Sequence, residues 1–252
     1  MTSLVRLRVK IFADGAELDG IGRLYANPLI KGFTTNPTLM RKAGVEDYES
    51  FARAVLARVP DRPVSFEVFA DDFALMEEQA FEIASWGPNV YVKIPITNTR
   101  RESAAPLVAR LSEAGVALNV TALLTLEQVA AVARALDPRT PAIVSVFAGR
   151  IADTGRDPVP LMREARSILA SRPKAELLWA SPREVLNILH AEHAGCHIIT
   201  VTHEMLAKLG SIDKDLDQLS LETVQMFHRD AAGAGYRIGT ARAPRAAGRA
   251  AG

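Results

Sequence analysis

A single cysteine, Cys196, stands in a chain of 252 residues, so no intramolecular disulfide can form and a reducing, cytoplasmic home is expected. No charge sign is in excess: 30 Lys and Arg face 29 Asp and Glu, which leaves no global field to draw the chain to nucleic acid or an anionic membrane. Long apolar runs are missing. The start MTSLVRLRVK lacks a signal peptide's apolar stretch, and no segment approaches the ~20 residues of a membrane span. A glycine-rich phosphate loop is missing too, since KGFTTNPT holds one glycine. Lysine is scarce, with seven against 23 arginines. Apolar residues are plentiful at 48%, enough for a large core in one big domain or two small ones.

Short β-branched or apolar runs alternate with stretches of helical periodicity, the pattern of a parallel sheet built from βα units. Eight candidate strands fall at 9–14, 30–35, 63–69, 90–96, 116–122, 141–147, 175–180 and 196–202. Segments such as 72–87, 103–115, 125–136 and 182–195 carry apolar residues at i, i+3, i+4 spacing, and several end at glycine. This count predicts an α/β fold, a single (β/α)8 TIM barrel, whereas a doubly wound sheet usually stops near six strands. No linker composition interrupts the middle of the chain, so residues 1–239 are expected to form one domain, with an additional C-terminal helix over 217–239 suited to docking on a barrel end or a neighbouring subunit. Residues 240–252, small residues plus Arg242, Arg245 and Arg249, are expected to be a disordered basic tail.

Side chains alternate across a strand, so one parity enters a barrel and the other lies under the helices. On this test Asp14 shares a face with Phe12, Thr35 with Phe33, Glu67 with Ser65, Lys93 with Tyr91, Thr121 with Asn119, and Ser145 with Phe147. Glu67, Lys93, Asn119 and Ser145 follow one another at a spacing of 26 residues, one βα period, which predicts a shared layer. Charges cannot stand isolated in a barrel interior, because an unpaired buried ion costs several kcal/mol. Lys93 is the lysine set deep in an apolar strand. One reading is a space-filling ion pair with Glu67 or Asp14. The other is an amine nucleophile for a carbonyl carbon, a role arginine cannot fill because it stays protonated. Neighbouring carboxylates and hydroxyls suit the proton transfers of Schiff-base chemistry.

Ser145, Arg150 and Arg183 form a second cluster from the sixth and seventh loops. Arg183 is expected at the first turn of a helix, where free N–H groups and two guanidinium groups would attract an anion. His190, His193, Cys196 and His197 have the spacing H-x2-H-x2-C-H, but no metal site is expected. The helix carrying the first two runs toward the N-terminal barrel end, and His203 lies about 20 Å along the strand from His197.

At these residues the sequence resembles the transaldolase family. FADGAELDG, KGFTTNPTLM, SFEV, VYVKIPIT, LNVTALLT, SVFAGRIAD and ASPRE match the family's ordered motifs from about residue 8 to 238. The resemblance implies a cofactor-free and metal-free (β/α)8 enzyme that moves a dihydroxyacetone unit from a ketose phosphate to an aldose phosphate. It implies Lys93 as the Schiff-base nucleophile and Asp14 as acid/base at C–C cleavage, with Glu67 acting through a water held with Thr121. Thr35, Asn36 and Asn119 would position the three-carbon unit, and Ser145, Arg150 and Arg183 would take the phosphate. In the related free aldolases, which resemble fructose 6-phosphate aldolase, Gln and Tyr stand where this chain has Glu67 and Phe147, a position placed with the substrate-binding set. That difference favours transfer over simple cleavage. Pro182 and Glu184 flank Arg183 where the classical motif has Phe and Asn. Alternatives are a free aldolase and a non-catalytic sugar-phosphate-binding barrel. Sugar phosphates are the expected partners, with neither nucleic acid nor membrane, and a homo-oligomer, pentamer-based in small family members, is implied.

Overall fold

A computed structural model describes residues 7–239, so the predicted tail at 240–252 lies outside the described residues. Eight parallel strands close in chain order into a barrel: β1 Lys10–Asp14, β2 Ile30–Thr34, β3 Val64–Glu67, β4 Val90–Pro95, β5 Leu118–Leu123, β6 Ala142–Val146, β7 Ala175–Trp179 and β8 Ile198–Thr202. Each falls on its predicted segment. The helices are α1 Leu18–Tyr25, α2 Pro37–Lys42, α3 Tyr48–Arg58, α4 Phe73–Ser85, α5 Ala105–Glu113, α6 Leu126–Ala135, α7 Ala148–Ala152, α8 Pro158–Ile168, α9 Leu186–Ala194, α10 His203–Leu206 and α11 Leu216–Gly233.

Local chemistry sets several of these boundaries. Side chains of Asn36, Asp47, Asp72 and Asp157 accept N–H groups in the first turns of α2, α3, α4 and α8, and Thr125 with Gln128 forms a capping box on α6. At the other end of α9, Gly195 takes a left-handed φ of 75°, which glycine adopts without a Cβ penalty.

Apolar residues separate into two cores. The larger lies between the strands and the helices, and a smaller one fills the barrel axis with Phe12, Ile143, Leu178, Ala180 and Ile198, flanked by Tyr91 and Phe147. The Phe12 ring occupies the space that a Cβ on Gly32 would need, at 2.5 Å. Gly32 therefore faces inward, and so does Thr34 two residues on. This corrects the parity assigned to β2 from sequence: Phe33 and Thr35 point under the helices, because the wide aromatic of β1 leaves room only for glycine beside it.

Strand register carries Glu67 onto Lys93 and Lys93 onto Asn119 as direct Cα partners. The predicted layer shifts at its third step. Asn119 pairs with Ile143 rather than Ser145, and the β5–β6 register slips between Val120 and Leu123, where Ala122 adopts a φ of 64°. An irregularity of this kind bends the strand locally.

The compact unit containing the barrel ends at Ile212, and a second unit begins at Asp213. The latter holds α11, capped by Asp215, with none of its residues buried and with Leu216, Val224 and Phe227 exposed. Among the described residues no helix is long and apolar enough to cross a membrane.

Candidate active site

At the C-terminal ends of the strands opens a cavity of about 440 Å³, the position where barrel enzymes carry their chemistry. Asp14, Asn36, Glu67, Lys93, Asn119, Thr121, Ser145, Phe147 and Arg150 all line it. Eight of the nine come from strands β1 to β6 or the residues just after them, and Arg150 from α7, which follows β6; closure of the sheet brings them together.

Lys93 is 7% exposed. Its Nζ donates to the Thr35 carbonyl at 2.9 Å and lies 3.0 Å from Glu67 Oε2. The amine thus has two oxygen neighbours of different kinds, one a carboxylate able to accept a proton and one a fixed main-chain dipole. Beyond them, the Thr34 hydroxyl donates to Asp14 Oδ1 at 2.8 Å. A polar chain continues round the barrel: Ser145 Oγ donates to Asn119 Oδ1 at 2.6 Å, and Asn119 Nδ2 donates to Ser65 Oγ at 3.0 Å. With both ends of its amide engaged, Asn119 is locked in one orientation.

Burial raises the Asp14 carboxyl above the ordinary aspartate range, and the opposing pull of the Lys93 ammonium and the Thr34 hydroxyl does not overcome it. A carboxyl displaced in this direction exchanges protons closer to neutrality, as acid/base work requires. It also affects stability. Above the unfolded aspartate pKa of about 3.9, the folded chain holds a proton that the unfolded chain has released, so stability falls as pH rises through the window up to the raised folded value and stays lowered beyond it. Asp14→Asn removes that loss. The variant should match the wild type in thermal midpoint near pH 3.5 and exceed it at pH 8, while losing turnover. Parallel melting curves at both pH values would contradict the assignment.

Two predicted residues fall elsewhere. The Thr35 side chain lies on the helix side of β2, its Oγ1 buried without a hydrogen-bond partner, and only its carbonyl reaches the site. Arg183 does not line the cavity. It precedes α9 in an irregular loop rather than opening the helix, and its Nε donates to Asp153 Oδ1 at 2.9 Å. The N–H groups expected to be free there are taken: those of Arg183 and Glu184 both donate to Asn187 Oδ1, at 2.7 and 3.3 Å. An asparagine four residues downstream thus closes the turn and occupies the anion-attracting groups. Arg150, with its guanidinium 5.1 Å from the Phe147 ring centroid, is the arginine left facing the cavity.

Sequence reasoning missed Thr34, Thr38, Ala122, Ser181 and Thr200, which also line the cavity. For Thr34 a signal existed: a strand glycine beside a neighbouring phenylalanine implies which parity is inward. Ala122 and Ser181 enter through left-handed backbone, with φ of 64° and 56°, which residue type did not announce. The histidines go to different neighbours. His197 Nδ1 accepts the Leu177 N–H at 2.8 Å, while His190 lies 6.2 Å from the Trp179 ring.

A family model described as Transaldolase/Fructose-6-phosphate aldolase matches residues 11–238. A "Probable transaldolase" of Dehalococcoides mccartyi is 36% identical over 204 residues, 80% of this chain and 90% of the relative. A "Probable transaldolase 2" of Listeria monocytogenes is 35% identical over 204 residues, covering 81% and 89%. Among solved structures, KGPDC from Streptococcus mutans superposes with a TM-score of 0.54 at 9% identity over 78% of this chain and 88% of the other, a likeness of fold alone.

Proposed function

The chain belongs to the transaldolase/fructose-6-phosphate aldolase family and is an enzyme of that class, and from this premise we propose that it transfers a dihydroxyacetone unit from a ketose phosphate to an aldose phosphate through a Schiff base on Lys93. The observation that carries the reading is the Lys93 amine, held between the Glu67 carboxylate and the Thr35 carbonyl in the cavity at the C-terminal ends of the strands.

In the first step the amine loses a proton toward Glu67 and attacks the ketose carbonyl carbon. The resulting carbinolamine loses water as Glu67, through a water held with Thr121, delivers the proton to the departing oxygen, leaving an iminium. Asp14 then removes the proton from the hydroxyl two carbons along. The C–C bond breaks, the aldose phosphate leaves, and the iminium takes up the electron pair as an enamine. An incoming aldose phosphate reverses these steps, its aldehyde carbon being attacked by the enamine, and water finally releases the new ketose phosphate from Lys93. Asn119 and Asn36 orient the three-carbon unit, and Arg150 with Ser145 takes the phosphate end. Arg183, tied to Asp153, contributes to the phosphate only if that ion pair opens.

Borohydride added with a ketose phosphate tests the reading. It should fix a three-carbon adduct on the peptide carrying Lys93, and an unmodified peptide in folded protein would defeat the proposal. Product analysis with and without acceptor separates transfer from simple cleavage. Free dihydroxyacetone forming equally fast without acceptor would identify an aldolase and overturn the weight given to Glu67 and Phe147. We further infer a homo-oligomer, since the exposed Leu216, Val224 and Phe227 of α11 would be covered by a second copy.

A further inference from the structure

Tyr48, on α3, lies outside the cavity, and no step above uses it. Its position follows from the way β3 ends. Along a strand, alternate residues turn both backbone groups to the same neighbour, so Ser65 and Glu67 face β2 while Phe66 and Val68 face β4. The β2–β3 pairing runs only from Phe33↔Val64 to Thr34↔Ser65, and its last rung is the Thr35 N–H to the Ser65 carbonyl at 3.4 Å. A further rung would join the Glu67 N–H to the Thr35 carbonyl. It is replaced. The Tyr48 hydroxyl accepts the Glu67 N–H at 2.8 Å and donates to the Glu67 carbonyl at 3.0 Å, while the Thr35 carbonyl accepts from Lys93 Nζ at 2.9 Å.

The phenol is held for this task from several sides. Its ring centroid lies 4.5 Å from Phe69, 5.5 Å from Trp86 and 6.2 Å from Phe66. Burial keeps its hydroxyl protonated well beyond the ordinary phenol range, so it remains both donor and acceptor at any working pH.

We propose that Tyr48 is a positioning residue for Glu67: its hydroxyl stands in for the missing rung, fixes the end of β3, and so sets the Glu67 carboxylate at ion-pair distance from Lys93. The proposal rests on the reading of Glu67 as the proton carrier for Schiff-base formation. Without the hydroxyl, the end of β3 can slide toward β2, and the Glu67 carboxylate loses its registration with the Lys93 amine.

Tyr48→Phe keeps the ring and removes the hydroxyl. It should lower kcat and the single-turnover rate of borohydride-trapped adduct formation by about tenfold or more, with donor KM within about twofold. A loss of packing alone would not discriminate, so the deciding comparison uses Glu67→Gln. If Tyr48 acts through Glu67, the double variant should be no slower than Glu67→Gln alone, within about twofold. Wild-type kcat in Tyr48→Phe, or losses that multiply in the double variant, would overturn the proposal while leaving the role of Glu67 intact. Wild-type adduct formation in Glu67→Gln would remove the reading of Glu67 and this proposal with it, and trapping at Lys93 would still stand or fall separately. Phe69→Ala, at a half-exposed ring against Tyr48, gives a second measure should Tyr48→Phe fold poorly. It should show a smaller loss of adduct-formation rate, again absent in the Glu67→Gln background, and a loss that persists there would count against the proposal.

Discussion

Replacing Lys93 with methionine is expected to reduce turnover by about 10⁴-fold or more while the protein still folds and still binds sugar phosphates. Methionine nearly matches the lysine stem in volume and flexibility, so it fills the same space on the inner face of β4. Glu67 loses its cation but retains contact with water through the cavity it lines, which limits the desolvation cost. Arg150 remains in place for the phosphate. Lys93→Arg sharpens the test: it keeps the positive charge beside Glu67 and removes the nucleophile, because a guanidinium does not deprotonate. Both variants should lose the borohydride adduct and turnover alike, with donor affinity changed by less than about tenfold. Retention of more than about 1% of turnover in either variant would show that the reaction does not pass through this amine.

The largest expected loss of stability comes from a methyl group. A Cβ on Gly149 would lie 1.5 Å from the Ser181 carbonyl oxygen and 2.6 Å from its carbon. The obstacle is main chain, held by the Gly149 N–H to the Ala180 carbonyl at 3.2 Å, and cannot rotate away. Gly149→Ala should therefore destabilise by about 4 kcal/mol or more, a drop of roughly 10 °C in Tm for a chain of this size. In an unobstructed helix the same change usually stabilises by up to about 1 kcal/mol. Gly22, in α1, supplies the control: its nearest neighbour would be Arg58 Cδ at 3.9 Å, and Gly22→Ala should be neutral or favourable. Equal Tm values for the two variants would mean that the loops can separate. Because Gly149 precedes Arg150 and Ser181 lines the same cavity, any surviving Gly149→Ala protein should also bind donor more weakly.

The architecture was legible because it is written redundantly. Eight apolar strands separated by amphipathic helices leave one economical closure, and the 26-residue recurrence of Glu67, Lys93 and Asn119 is reproduced as direct strand partners. Periodicity counts residues, however, and cannot count a slip in register. Ser145 reaches Asn119 by hydrogen bonding across the β5–β6 bulge rather than by pairing with it. In β2, two threonines in succession made parity ambiguous, and Gly32 beneath the Phe12 ring decided it. Arg183 was drawn to the anion site by its charge and by the apparent start of a helix. Asp153, thirty positions earlier in the chain, holds its side chain, and Asn187 closes the turn. Such long-range partners leave no periodic trace.

Half of what holds Lys93 is a main-chain oxygen, and this sets a limit on what substitution can reveal. Any residue placed at position 35 still presents a carbonyl there, so an alanine scan would pass over the position as silent with respect to the amine. The acceptor is encoded by where a strand stops, not by a letter of the sequence. Only an insertion, a deletion or a backbone ester at that point would expose its contribution.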